Sequence, residues 1–303
     1  MSVAVGACDW NGQLSSNFSI PGKIPDSRCI IAGTRFCSAG IAAAIIQWTV
    51  DMNFFAYPTA AERYANGRPF FHPLAIKKIQ AICCERGRIG MALDVGCGTG
   101  QSTFALLKVA DNIVGVDSSA EMLSHAKQHA RIRFVEARAE QMPFADTTFG
   151  LITVALAIHW FDQEKFFRES KRLLQRGGWL VIYNDGFTGR MEGNDSYEKW
   201  NREEYLARYP TPPRNSRPTD EIDASEYGLV PSGSDEFNHE VEFTPEQLVG
   251  YLVTQTNVIS AVETGKEDLH SVMSWLLNSV RPLFTHAKER FSFTCQIRFL
   301  KRI

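Results

Sequence analysis

The strongest constraint on the fold of this chain is a glycine-rich turn, Gly96-Cys97-Gly98-Thr99-Gly100. It leaves a short apolar stretch, residues 91–95, which is typical of a buried strand, and it enters a predicted helix over residues 101–110. Glycines at such a turn let backbone N–H groups approach a ligand closely. Residues 113–116 form a second predicted strand, and Asp117 closes it 21 residues after Gly96. A strand, a turn, a helix and a second strand in this order predict a parallel sheet with helices packed against it.

The alternation of strands and helices continues along the chain. Three further strands are predicted, over residues 131–135, 149–155 and 179–183. The pattern Ser118-x-x-Glu121 matches a capping box and predicts that a helix begins there. Apolar side chains alternate over residues 291–300, which predicts a closing strand. These patterns indicate an α/β domain with helices on both faces of the sheet.

Other segments differ in composition. Residues 1–51 are expected to form an N-terminal extension, disordered or helical, and an alternative interpretation starts translation at Met52. The apolar run in this extension, about 15 residues, is short for a membrane span. Within the main domain, residues 52–303, the stretch 186–236 lacks periodicity and predicts an insertion or lid. Residues 244–284 begin with a capping box and continue at helical spacing, which predicts a helical cap.

Composition narrows the class of partner. The chain has a net charge of -2, which disfavours a nucleic-acid or anionic-membrane binder, because binding phosphates takes a basic face. Its seven cysteines include no C-x-x-C pair, and this usage predicts free thiols in a reducing compartment, the cytoplasm. The seven histidines do not pair with acids at ligand spacing, so no metal site is predicted. Composition leaves small-molecule and protein substrates open.

The acid after the second strand indicates the ligand. A carboxylate at that place in a parallel sheet meets both ribose hydroxyls of a nucleoside, so the carboxyl edge of the sheet is expected to hold an adenosine. A dinucleotide site requires the spacing G-x-G-x-x-G, whereas here the spacing is G-x-G-x-G, preceded by Asp94. A carboxylate beside the phosphate pocket would repel a pyrophosphate but suits the ammonium group of a methionine tail. The pattern therefore favours S-adenosylmethionine over NAD.

The chain resembles the class I S-adenosylmethionine-dependent methyltransferases of type 11 over about residues 54–185. Five landmarks carry the resemblance and occur in the family's order: LDVGCGTG, VDSSAEML, VEARAEQMPF, AIHWFD and RLLQRGGWLVI. The resemblance implies a Rossmann-like, seven-stranded, mostly parallel sheet with helices on both faces and a C-terminal insertion or lid.

The resemblance also implies a set of cofactor-binding residues. Asp94 and the glycines of the turn are expected to hold the methionine part, and Asp117 the ribose. The implied set consists of Asp94, Gly96, Gly98, Gly100, Asp117, Ser118, Met122, Ala139, Glu140 and Ala155. The sequence departs from the family where Arg138 replaces an acid that accepts a bond from the adenine amine. Glu140 or the backbone is expected to substitute for that acid.

Residues after the fourth strand point to the methyl acceptor. His159-Trp160 resembles the pair found at this place in small-molecule methyltransferases of the trans-aconitate and juvenile-hormone-acid type, which methylate carboxylates. Upstream, Tyr64 and Arg68 lie in a segment that resembles the one closing over the cofactor in those enzymes. We therefore expect O-methylation of a carboxylate, with His159, Trp160 and Tyr64 as catalytic residues. A carboxylate is already ionised at neutral pH and needs no base.

Several alternatives remain open at this point. A hydroxyl acceptor would need a general base, and His159 could serve. The chain could also bind the cofactor without transferring a methyl group. Arg68 is either a surface ion-pair partner or a ligand for a substrate carboxylate. Asp185, at the end of the fifth predicted strand, either faces the substrate or turns the chain, and Trp200 and Tyr205 either line an acceptor pocket or pack inside the lid.

Overall fold

The computed structural model describes residues 57–85, 87–212 and 224–303. These residues belong to one unit of the chain, Asn53–Ile303. The extension predicted over residues 1–51 lies outside the described residues. The same holds for the central part of the predicted insertion, residues 213–223.

A seven-stranded sheet forms the centre of the domain, with strand order β3-β2-β1-β4-β5-β7-β6. The strands are β1 (Ile89–Val95), β2 (Ala110–Asp117), β3 (Ile132–Glu136), β4 (Phe149–Ala155), β5 (Leu174–Met191), β6 (Leu229–Phe243) and β7 (Glu289–Arg302). Neighbours among the first five strands are parallel, and β7 is antiparallel to both β5 and β6. The prediction of a seven-stranded, mostly parallel sheet is confirmed.

Helices cover the sheet on both faces, as predicted. They are α1 (Pro58–Gly67), α2 (His72–Cys83), α3 (Gln101–Ala105), α4 (Ala120–Ser124), α5 (Gln163–Leu173), α6 (Asp195–Trp200), α7 (Pro245–Leu252), α8 (Thr256–Glu263) and α9 (Leu269–Val280). On one face α2 packs Ile76 and Ile79 against Val181 of β5. On the other face α5 packs Phe166 and Phe167 against the same central strands. Both helices bury apolar side chains at helical spacing, as amphipathic helices do.

A third apolar cluster lies beyond the central strands. It joins the ends of β5 and β7 to α6, α7 and α9 and consists largely of aromatic side chains, among them Tyr197, Trp200 and Tyr251. The capping box predicted before α7 is present: Thr244 accepts from the Gln247 amide, and the Gln247 side chain accepts from the Thr244 amide. The helical cap, residues 244–284, contributes aromatic rings to the cluster at the carboxyl end of β5.

The structure corrects several local predictions. Residues 186–191 and 229–236 are strand rather than irregular chain, because β5 and β6 extend through them and pair with β7. As an edge strand with Pro231 and polar side chains on its open face, β6 lacks the apolar alternation of a central strand. The N-cap of α4 is Ser119 rather than Ser118, and it accepts a hydrogen bond from the Met122 amide.

Candidate active site

The glycine turn connects β1 to α3 in a conformation that side chains disfavour. Gly96 and Gly98 have positive φ angles of 68° and 53°, which a residue with a Cβ adopts only at a cost. A Cβ at Gly96 would lie 2.5 Å from the Cβ of Ala157, and one at Gly98 would lie 2.9 Å from Cε of Met122. The turn therefore needs glycine for its backbone conformation and for its close packing.

Asp117, at the carboxyl end of β2, holds the turn from the other side. Its Oδ2 accepts a hydrogen bond from the Gly98 amide (2.8 Å), and its Oδ1 accepts one from the Ser119 amide (2.9 Å). Burial raises the pKa of this carboxyl, while the bonds from backbone amides act in the opposite direction. Each carboxylate oxygen can accept a further bond, so the group is suited to receive a pair of hydroxyls.

Asp94 is fully buried beneath the turn. Its Oδ2 accepts from the hydroxyls of Ser102 (2.6 Å) and Thr103 (2.7 Å) in α3, and its Oδ1 accepts from Thr153 (2.8 Å) in β4. Burial raises the pKa of Asp94, and the three hydroxyls partly oppose that rise. This carboxyl joins three elements under the turn. Sequence reasoning missed the hydroxyl partners, although the Ser-Thr pair directly after the turn was an available signal.

The remaining predicted cofactor residues lie along the edges of β2 and β3. Ser118 is exposed, Met122 is buried against Gly98, and Ala139 is buried in the loop after β3. Glu140 accepts from the Asp162 amide (2.9 Å) through Oε1 and pairs with Arg138 through Oε2 (3.3 Å). The Glu140 carboxylate thus ties this loop to the start of α5.

A residue with a strained backbone conformation directly follows β4. Ala155 is its last residue, and Leu156 adopts a positive φ of 59°, a left-handed conformation that is unusual for a branched side chain. The Leu156 amide donates to the carbonyl of Tyr183 (3.0 Å). A 3-10 turn follows, Ile158–Trp160, in which the rings of His159 and Trp160 lie 4.8 Å apart and the Trp160 side chain is exposed. The turn presents both rings at the carboxyl edge of the sheet.

Helix α1 contacts two separate parts of the domain: α4, which follows β2, and α7, which belongs to the helical cap. Two contacts attach it to α8: the guanidinium of Arg63 and the hydroxyl of Thr59 both bind Glu263, at 2.8 Å and 2.9 Å. Tyr64 lies on α1 with the Arg68 guanidinium 4.8 Å from its ring centroid. The predicted N-terminal segment therefore lies beside both the glycine-turn side and the cap.

Two polar pairs in the middle of β5 were not predicted. His239 Nε2 lies 2.7 Å from Asp185 Oδ1, and His72 Nδ1 lies 3.1 Å from the Tyr183 hydroxyl. Burial lowers the pKa of His72 to about 3. Asp185 had been noted in the sequence, but His239 lies on β6, whose strand pattern is weak, and no local signal connects residues 54 positions apart.

The structure thus brings the predicted residues together at one edge of the sheet. The glycine turn, Asp117 and Met122 form one cluster, and Ala155, His159 and Trp160 follow β4 next to it. Among the described residues, no cluster of potential ligands could hold a metal ion. Within that same part of the chain, no helix is long and apolar enough to cross a membrane.

Comparisons with known proteins agree with this geometry. Residues 93–182 match the family model described as "Methyltransferase domain". A Dictyostelium discoideum protein named "putative methyltransferase" is 26% identical over 70% of this chain and 81% of its own length. A Saccharomyces cerevisiae protein named "probable S-adenosylmethionine-dependent methyltransferase" is 28% identical over 48% of this chain, and the match spans about half, 54%, of that relative.

A solved structure gives the fold independently. The Anaeromyxobacter dehalogenans protein described as a "putative type II methyltransferase" superposes with a TM-score of 0.58 at 22% identity, over 75% of this chain and 94% of that one. The residues also fit the cofactor of such enzymes, because a Cβ at Gly98 would fill the cradle in front of α3 and Asp117 offers two acceptor oxygens. Residues 93–182 therefore form a methyltransferase domain of the S-adenosylmethionine-dependent type, with S-adenosylmethionine as its cofactor.

Proposed function

We propose that this methyltransferase transfers the methyl group to a carboxylate oxygen of a small organic acid. The observation that carries the proposal is the environment of Arg68. Its guanidinium lies between the rings of Tyr64 (4.8 Å) and Tyr251 (5.3 Å), and its Nη2 donates to the Thr254 carbonyl (3.0 Å). Its Nε is buried and has no hydrogen-bond partner among the described residues. A buried, unsatisfied cationic donor favours an anionic ligand.

The chemistry of a carboxylate suits this arrangement. The cofactor supplies an activated methyl group on a sulfonium centre. A carboxylate with a pKa near 4 is ionised at neutral pH, so the protein needs only to align it and exclude water. In the proposal, Arg68 binds one carboxylate oxygen while α1 closes the site, and Tyr64 fixes the guanidinium plane. His159 and Trp160 orient the acceptor beside Ala155.

The alternative acceptor is a hydroxyl group, with His159 as the general base that removes its proton. The two acceptors give different products. Methylation of a carboxylate gives an ester, which mild alkali hydrolyses to release methanol, whereas methylation of a hydroxyl gives an ether that survives alkali. A protein that binds the cofactor without catalysis would give neither product.

The experiment is a screen of small acids and hydroxylated compounds with methyl-labelled S-adenosylmethionine, followed by alkali treatment of the products. We expect volatile label after alkali. Arg68→Lys keeps the charge but removes the planar fork, so it should raise KM for the acid. The control Arg176→Lys alters an exposed arginine near the start of β5 and should leave KM unchanged. An alkali-stable product would contradict the proposal.

We also propose that the enzyme works on small molecules in the cytoplasm, without nucleic acid or membrane as partner. Four cysteines among the described residues are free thiols: Cys83, Cys84, Cys97 and Cys295. Three of them are buried, and adjacent Cys83 and Cys84 suit neither a disulfide nor a metal. Free thiols are the usual state in a reducing compartment. Imaging of a tagged full-length chain tests this placement.

A further inference from the structure

We propose that His239, held by Asp185, supplies a second hydrogen-bond donor to the acceptor carboxylate, opposite Arg68, and takes up a proton when the acid binds. This inference rests on the proposed carboxylate acceptor and names a residue on β6 as part of its binding site. The His239–Asp185 pair is mostly buried, and neither residue belongs to the predicted cofactor site.

The pair is rigidly held. His239 Nε2 and Asp185 Oδ1 are 2.7 Å apart, and the two side chains are only 12% and 3% exposed. The imidazole lies nearly parallel to the rings of Phe71 and Phe293, with centroids 6.3 Å and 5.4 Å away. The bond to Asp185 occupies Nε2 and fixes the ring, while Nδ1 has no hydrogen-bond partner among the described residues. A carboxylate that orients a histidine leaves the other ring nitrogen available to a ligand.

The register of the sheet places the pair near the carboxyl end of β4, where the acceptor is proposed to bind. Ala155, the last residue of β4, pairs with Tyr183, and Asp185 lies two residues farther along β5. Since side chains alternate along a strand, Tyr183 and Asp185 share one face. Ala155 belongs to the same apolar cluster as Tyr183 on that face. Asp185 therefore lies just beyond the carboxyl end of β4.

Arg68 reaches the same region. Its guanidinium is 5.3 Å from the Tyr251 ring, which is 5.6 Å from Phe293, the residue that stacks on His239. Burial raises the pKa of Asp185, while the hydrogen bond to His239 and the charges of His239 and Arg68 oppose that rise. Arg68 and His239 therefore lie beside the same apolar region, which the rings of Tyr251 and Phe293 form.

A cleft between α1, β6 and α7 has Arg68 in its wall. It has a volume of about 440 Å³ and also includes Val241 and Phe243 in its wall. His239 precedes Val241 by two residues on the same strand, and so on the same face. Glu242 and Glu246 also line the cleft. Of these, Glu246 forms an ion pair with Arg281 at 2.7 Å. Glu242 is exposed to solvent; Arg290 opposite it in the sheet register pairs with Glu192 and Glu240 instead.

Charge balance gives His239 its role. The negative Asp185 and the positive Arg68 cancel, so an acceptor carboxylate would add one uncompensated negative charge to a mostly buried space, which is costly. A proton on His239 restores neutrality and converts Nδ1 into a donor aimed at the acid. Because binding takes up a proton in this proposal, affinity for the acid should fall as pH rises.

The other titratable groups around the His239–Asp185 pair keep their charge state near neutral pH. Burial lowers the pKa of His72 to about 3 and raises that of Tyr251 to about 12. Burial also raises the pKa of Tyr183 and of Cys295. Lys78 and Asp235, beyond Cys295, form an ion pair with each other. The proton taken up on binding is therefore assigned to His239.

The test titrates malonate, trans-aconitate and benzoate into the full chain saturated with S-adenosylhomocysteine, at about pH 6 and about pH 8.5. Two uncharged variants separate the two ring nitrogens. His239→Gln places an amide nitrogen near the position of Nε2 and keeps the bond to Asp185, whereas His239→Asn places one near Nδ1 and loses that bond. His286→Asn alters an exposed histidine and is the control. Thermal melting and S-adenosylhomocysteine affinity report whether each variant folds.

We expect at least one acid to bind wild type about tenfold more tightly at the lower pH, and His239→Gln to lose that factor with unchanged S-adenosylhomocysteine affinity. Equal acid affinity in wild type and His239→Gln, or equal affinity at both pH values, would overturn the inference while leaving the carboxylate acceptor intact. Failure of all three acids to bind would count against the acceptor and the inference together. A rate that rises with pH and gives an alkali-stable product would overturn both by identifying a hydroxyl acceptor.

Discussion

The backbone amide of Gly98 donates a hydrogen bond to the carboxylate of Asp117, at 2.8 Å. This single contact links the turn after β1 to the end of β2, and the amides of Gly96 and Cys97 reinforce it by donating to the Val116 carbonyl at 2.8 Å and 3.0 Å. The acid expected to bind the ribose therefore also stabilises the turn expected to hold the methionine part. Loss of the carboxylate should affect both parts of the cofactor site.

Asp117→Ala should abolish binding of S-adenosylhomocysteine and leave the fold intact, because the group is at the sheet edge and not in an apolar core. Asp117→Asn should weaken binding less, since one acceptor oxygen remains. Calorimetric titration measures the affinity. The control Asp111→Asn alters an exposed acid at the other end of β2, which pairs with Arg88. Wild-type affinity in Asp117→Ala would show that the ribose is bound elsewhere.

Gly98→Ala should also lose cofactor affinity, because the new Cβ would lie 2.9 Å from the Met122 side chain and the residue has φ of 53°. Gly177 is a matched control: its φ is 75°, but a Cβ there meets nothing within 4 Å. Both alanine variants carry a similar backbone cost of about 1 kcal/mol. A difference in S-adenosylhomocysteine affinity between them therefore measures the close approach at the turn, and equal affinities would contradict it.

The contrast between predicted and observed elements has a physical basis. The turn, Asp117 and the strand before His159 could be predicted because short-range patterns determine them: glycine spacing, an apolar run and a capping sequence. These features depend on residues that are near one another in the chain.

Long-range pairs escape this kind of reasoning. Thr153, which donates to Asp94, comes from β4, 59 positions along the chain, and His239 meets Asp185 across β7. The edge strand β6 carries polar side chains on its open face, among them Glu236, Glu240 and Glu242, so its sequence resembles a loop. Only the folded structure shows which polar groups lie together. For this reason the sequence alone left open whether Arg68 is a surface ion-pair partner or a ligand for a substrate carboxylate.

Thr153→Val should destabilise the protein by about 1–3 kcal/mol, because it removes one hydroxyl donor from the fully buried Asp94 carboxyl without changing the side-chain shape. Urea unfolding measures the free energy. Thr188→Val removes an exposed hydroxyl that donates to the Ser292 carbonyl and should cost less than about 1 kcal/mol. Equal costs in the two variants would mean that the Asp94 network adds little to stability.

The pH dependence of stability should report His72. Burial lowers its pKa from 6.5 to about 3, so the unfolded chain binds a proton that the folded chain does not accept between these values. The stabilising contribution is therefore complete above pH 6.5 and is lost as pH falls toward 3. From pH 7.5 to 5.0 the free energy of unfolding should fall by about 2 kcal/mol on account of this group alone. Urea unfolding at both pH values measures that fall.

His72→Gln should remove this part of the pH dependence, since glutamine keeps a polar group near the Tyr183 hydroxyl but does not titrate. The control His286→Gln alters an exposed histidine and should keep the wild-type slope. The comparison uses the difference between the two pH values, so any constant cost of the glutamine side chain cancels. An identical slope in wild type and His72→Gln would mean that His72 takes up its proton as readily in the folded protein as in the unfolded chain.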